Sequence, residues 1–138
     1  MQTLYTATAT ATGDGRNGHT ASDDGMLDMD VCVPKSMGGP GGATNPEQLF
    51  AAGYAACFHS AMKFVAAADK LDVTGTEVSA SVSIGTLAAG GFGLAVELDV
   101  HAPNLARDVA LALVEKAHHV CPYSNATRGN VEVELKVV

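Results

Sequence analysis

The 138-residue sequence predicts an α+β fold with the element order βββ-α-ββ-α-β. Three observations carry that prediction. Apolar residues recur at every second position around residues 27–33, 78–84, 94–100 and 131–137, the spacing of half-buried strands. Two other segments, 45–70 and 104–120, carry helical patterns, and runs of Gly, Asn, Asp and Pro punctuate the boundaries. At this length a single domain over residues 1–138 is expected, because a second domain would leave neither with an adequate core.

Taken in order, residues 3–12 alternate Thr with Ala after Leu4 and Tyr5, a period of two that predicts a strand. Gly13 to Gly18 is turn chemistry, expected as a mobile loop carrying Arg16. After a second turn at Ser22–Gly25, Leu27, Met29, Val31 and Val33 alternate with Asp28, Asp30 and Cys32 up to Pro34, completing a three-stranded meander. Met37–Ala43 is a glycine-rich connector too short to separate domains. Asn45-Pro46-Glu47-Gln48 reads as a helix start: Asn45 as N-cap, Pro46 in the first helical position, an acid in the first turn and Gln48 in capping-box position.

That helix should run to about Lys70. Its body, LFAAGYAACFHSAMKFVAAA, is apolar almost all round, so burial on most sides is expected, beyond what one small protomer can provide. Val78, Ala80, Val82 and Ile84, a glycine turn, and Leu94, Val96, Leu98 and Val100 form a hairpin. Asn104–Val120 is an amphipathic helix expected to end at Pro122, and Val131, Val133, Leu135 and Val137 form a closing strand.

Composition narrows the function. With 47% hydrophobic and 17% charged residues the chain is expected to fold, and a formal charge of -7 has the wrong sign for nucleic acid. The N-terminus lacks the basic start and apolar stretch of a secretory signal, so a cytoplasmic location is expected. Leu49–Ala68 is interrupted by His59, Ser60 and Lys63, so no membrane span is expected there. Three cysteines are an odd number for a disulfide framework, which leaves redox chemistry, metal binding or inert packing.

Cys57 lies in the middle of the first helix and Cys121 at the end of the second, just before Pro122. By position alone Cys57 reads equally as a small hydrophobe of the core. Its company decides otherwise. The segments TATATGDGRNG, TNPEQLFAAGYAACFHSA, GGFGLAVEL and HHVCPYSNATRGN together resemble the organic hydroperoxide resistance proteins, a branch of the OsmC superfamily, over essentially the whole chain.

The resemblance implies a cysteine-based peroxidase acting on organic and fatty-acid hydroperoxides. It implies an OsmC-like intertwined homodimer with long central helices packed between sheets. It places the peroxidatic cysteine on Cys57, the resolving cysteine on Cys121, and the thiol-activating arginine and glutamate on Arg16 and Glu47. It also implies no bound cofactor, the reductant being an external dithiol, protein-bound dihydrolipoamide (a lipoylated protein) in preference to thioredoxin. The loop GDGRNGHT departs from the family's pattern by one extra residue, with His19 where a second basic residue often stands.

The residue types suit that chemistry. A free thiol of pKa about 8.5 is only about 3% thiolate at pH 7. A guanidinium that lowers the pKa by about two units makes most of it thiolate, roughly twentyfold more reactive species. Arg16 is the candidate, and Glu47 would hold its fork in place. The aromatic and apolar side chains Phe50, Tyr54, Phe58 and Met62 would favour alkyl or lipid hydroperoxides, or else simply form helix core. Ten residues on one helix set Glu47 and Cys57 about 15 Å apart along the axis and about 80° apart around it. The Glu47 serving a given Cys57 is therefore expected from a partner chain, with Arg16 free to accompany it.

Alternatives come from other classes. Cys57 with His59, and His118 and His119 with Cys121, could supply a zinc site in a non-enzymatic binding module, although helix geometry points Cys57 and His59 about 200° apart. A hydroperoxide or fatty-acid carrier is a second possibility, and an OsmC-type peroxidase of broader specificity a third. Cys32 has no motif around it and reads as an inert thiol.

Overall fold

The computed structural model describes every residue from Met1 to Val138 and divides the chain into two units, Met1–Leu49 and Phe50–Val138. In the first unit, strands β1 (Ala9–Asp14), β2 (Asn17–Ser22) and β3 (Asp28–Asp30) form an antiparallel meander in that spatial order. The three-stranded expectation holds, with shorter strands. Residues 3–8 of the Thr/Ala repeat lie outside β1, and β3 ends at Asp30, leaving Val31 in a lone bridge to Thr44. The Thr/Ala side chains of β1 are exposed throughout, so no buried face holds the alternating segment as strand over its full length.

The expected mobile loop at Arg16 is a tight hairpin turn. Pairing runs without interruption to Asp14 opposite Asn17, so only Gly15 and Arg16 make the connection. Gly15 has φ of 55°, the left-handed region that glycine enters without penalty. The connector after β3 contains a single 3-10 turn, Lys35–Met37.

Helix α1 spans Pro46–Asp69. Asn45 caps it as expected, its Oδ1 accepting the Gln48 backbone N–H at 2.9 Å. Gln48 does not complete a capping box, because its Oε1 accepts from the Thr44 hydroxyl at 2.9 Å. The helix ends where Lys70 turns to φ 55°.

The second unit packs α1 with a sheet of β4 (Glu77–Thr86), β5 (Phe92–His101) and β6 (Glu132–Val137), and with helix α2 (Arg107–Val120) and the short α3 (Pro122–Thr127). β4 and β5 form the expected hairpin, pairing Val78 with Val100 and Ile84 with Leu94. β6 adds on the other side of β5 in parallel, and α2 with α3 supplies the crossover that parallel pairing requires. Val96, Leu98 and Val100 of β5 meet Leu113, Val114 and Ala117 of α2 and Tyr54, Phe58 and Met62 of α1 in one core. The Val, Leu, Phe and Met side chains among them each contribute about 1.5–3 kcal/mol when fully buried.

α2 ends at Val120, before Pro122, as expected. Pro122 then opens a further short helix, α3, which was not expected; its missing N–H is no loss there, and Cys121 joins the two helices in extended backbone. Also as expected, a chain of this size does not cover α1 on most sides by itself. Only Tyr54, Phe58, Ala61, Met62 and Ala66 are buried, while Phe64 is 71% exposed. By length and a mean hydropathy of 1.2, α1 is long and apolar enough to cross a membrane, but its Tyr54–Phe58–Met62 face packs in the core just described.

Candidate active site

The first unit assembles an ion pair. Arg16, at the hairpin tip, donates from Nη1 to Glu47 Oε2 at 3.0 Å and from Nη2 to Oε1 at 2.6 Å, the two-pronged geometry a guanidinium forms with a carboxylate. Glu47 is largely covered, with 12% of its side chain exposed against 40% for Arg16. The Arg16 hydrogen bonds hold the Glu47 carboxyl below the usual range and raise Arg16 in turn, so both stay charged across the physiological range. On the same meander His19 lies between Asp30 (Nδ1 to Oδ1, 2.8 Å) and Asp28 (Nε2 to Oδ1, 2.8 Å). Cys32 is buried and points its thiol at the Gly41 carbonyl, 3.3 Å away.

The second unit assembles a sulfur pair. Cys57, partly buried in mid-α1, and Cys121, fully buried at the α2–α3 junction, are both free thiols, and their Sγ atoms are 3.6 Å apart across 64 residues of sequence. α2 positions Cys121 as its C-cap, the Cys121 N–H donating to Ala117. Burial is the largest influence on Cys57 and pushes its thiol up; the Tyr123 N–H opposes this, and the neighbouring Cys121 adds to the rise. No cation contributes, so nothing within Phe50–Val138 ionises this thiol.

Of the apolar candidates, Tyr54, Phe58 and Met62 have no exposed surface and are core. Phe50 is partly buried and joins Tyr54 and Tyr123 in an aromatic trio, with ring centroids 5.5 to 6.0 Å apart. Gly53 makes that trio possible, since a Cβ there would sit 2.8 Å from the Tyr123 hydroxyl. Sequence reading placed Tyr123 only in the segment after Cys121 and did not single out Gly53; the G-Y pair inside an alanine-rich helix was the available signal for Gly53. The histidines do not gather with the thiols. His59 bonds Thr76 (3.0 Å) and His118 bonds Ser124 (2.9 Å), and no three His, Cys, Asp or Glu side chains cluster as a metal set.

The fold with its paired sulfurs places the chain in a known class. The family model for OsmC-like proteins matches residues 39–136. The chain is 57% identical over 134 residues to the organic hydroperoxide resistance protein of Xanthomonas axonopodis pv. citri, covering 96% of this chain and 93% of that one. It superposes with a TM-score of 0.94 on the crystal structure of an organic hydroperoxide resistance protein from Legionella pneumophila, at 51% identity and 99% and 98% coverage. Against OhrB of Bacillus subtilis the TM-score is 0.90 at 47% identity, with 99% and 100% coverage. The chain belongs to the OsmC-like family and, within it, to the organic hydroperoxide resistance branch.

Proposed function

We propose that the protein is a cytoplasmic, homodimeric, thiol-dependent peroxidase that reduces organic and fatty-acid hydroperoxides to alcohols. The observation that carries this is the approach of two free sulfurs to 3.6 Å across 64 residues. The relatives' names, organic hydroperoxide resistance proteins, support organic hydroperoxides as the substrate class.

In the first step the Cys57 thiolate attacks the distal oxygen of R–O–O–H. An S–O bond forms, the O–O bond breaks, and RO⁻ leaves and takes up a proton to become the alcohol. Cys57 is then a sulfenic acid. The Cys121 thiol displaces its hydroxyl as water and forms the Cys57–Cys121 disulfide. An external dithiol, in our reading a lipoylated protein, takes up the oxidation by exchange and restores both thiols.

Ionisation of Cys57 is the requirement that the Phe50–Val138 unit does not meet. The partner subunit's Arg16, held in its bidentate pair with the partner's Glu47, is the cation assigned to that task. A guanidinium at the sulfur offsets the cost of burial and stabilises the developing alkoxide. The exposed apolar side of α1, with Phe64 on it, supplies surface for the partner helix. Steady-state consumption of cumene hydroperoxide with dihydrolipoamide tests the assignment. Turnover that vanishes in Cys57→Ser is expected, whereas binding without turnover in the wild type would leave a carrier.

A further inference from the structure

A line of buried hydroxyls joins the two helical segments that carry the sulfurs. Thr127 Oγ1 is 3.0 Å from the Tyr123 carbonyl oxygen and 3.2 Å from that of Ser124. Tyr54 Oη is 3.1 Å from Thr127 Oγ1 and 3.0 Å from Ser124 Oγ, and Ser124 Oγ is 2.9 Å from His118 Nδ1. Tyr54 and Ser124 are fully buried and Thr127 is 3% exposed, so bulk solvent does not reach these three hydroxyls.

Proton counting fixes their direction. A carbonyl can only accept, so the single hydroxyl proton of Thr127 is committed to the α3 backbone. Tyr54 must then donate to Thr127, which leaves it to accept from Ser124. Ser124 has its proton on Tyr54 and must accept from His118, so the hydrogen on His118 sits on Nδ1. The reverse order would set the Thr127 oxygen lone pair to lone pair against two carbonyls. Burial, followed by the charge of Arg128, lowers the His118 pKa, so the neutral ring and its tautomer are what matter near neutrality.

The positions of these residues give the line a purpose. Tyr54 is three residues before Cys57, Ser124 three after Cys121, and His118 three before Cys121. We propose that His118, Ser124 and Tyr54 are positioning residues that hold Cys121 against Cys57 through a one-way chain of hydrogen bonds starting at His118 Nδ1–H. Its part in the catalytic cycle rests on the peroxidase proposed above; the direction of the chain and its hold on the sulfurs do not.

Nitrogen-15 NMR of the reduced protein, above the titration of His118, is the first test. A protonated Nδ1 and bare Nε2 are expected, and the opposite tautomer overturns the chain. The second test equilibrates the Cys57–Cys121 pair with glutathione, which needs no hydroperoxide and so separates this inference from peroxidase activity. Tyr54→Phe and His118→Leu should each lower the effective molarity of the pair at least about tenfold, because the sulfurs lose their fixed approach. His118→Asn, which restores an N–H near the Nδ1 position, should stay within about threefold of wild type. Wild-type values in a folded Tyr54→Phe, or His118→Asn behaving as His118→Leu, would overturn the proposal. If the variants do not fold, the tautomer of the wild type still decides.

Discussion

Closing the Cys57–Cys121 bridge should stabilise the protein, and the amount follows from where the two sulfurs sit. The 64-residue separation makes the constrained loop long. In the chain-entropy description a loop of that length removes about 4 kcal/mol of unfolded-state entropy at 25 °C. Against this, the sulfurs must close from 3.6 Å to a covalent distance of about 2.05 Å. Cys121 is fully buried in the core, so α1 and the α2–α3 junction absorb that movement as strain. A net gain of about 2–3 kcal/mol remains, in the ordinary range for a disulfide. For a chain of this size it corresponds to a rise in Tm of about 5–10 °C. The assay is calorimetry of reduced protein against protein oxidised with diamide or one equivalent of alkyl hydroperoxide. Protomer concentration must match in both samples. Thiol titration should show two thiols lost and that of Cys32 retained. An oxidised form that has lost those two thiols yet melts at or below the reduced form would refute the reasoning.

Other perturbations act on separate parts of the molecule. Arg16→Lys keeps a charge but loses the fork on Glu47, so kcat/KM for alkyl hydroperoxides should fall at least about tenfold; an unchanged value would remove Arg16 from the site. Asn45→Ala removes the side chain that accepts the Gln48 N–H at the start of α1 and should cost about 1 kcal/mol in denaturant unfolding. His19 is raised by its bonds to Asp30 first and Asp28 second. Its stabilising contribution is therefore complete below the unfolded-state pKa and disappears as pH rises through the higher folded value. An NMR titration should place His19 above an ordinary histidine, with Asp30→Asn lowering it; a normal value in the wild type would contradict the arrangement.

Much of this was legible in the sequence, for identifiable reasons. The β4–β5 hairpin and β6 alternate strictly because one face of their sheet is buried, and burial imposes period two. The Asn45 cap and Pro46 start were readable because capping is local chemistry. β1 was drawn too long because its alternating Thr and Ala are exposed on both faces, so the pattern records no packing. The continuation past Pro122 was missed because the same residue that stops a helix can begin one. The pairing of Cys57 with Cys121 came from resemblance to a family, since no local pattern relates positions 64 residues apart. The bond of Thr127 to local backbone was readable, but the line from His118 through Ser124 and Tyr54 was not, because it depends on which side chains face one another across three helices.

The central chemistry is tested most directly by mass spectrometry of the intact and digested protein after one equivalent of an alkyl hydroperoxide. The wild type should lose two hydrogens and yield a Cys57–Cys121 cross-linked peptide, and Cys121→Ser should gain one oxygen on Cys57. An unchanged mass, or oxidation on Cys32 or the methionines with Cys57 left intact, would contradict it.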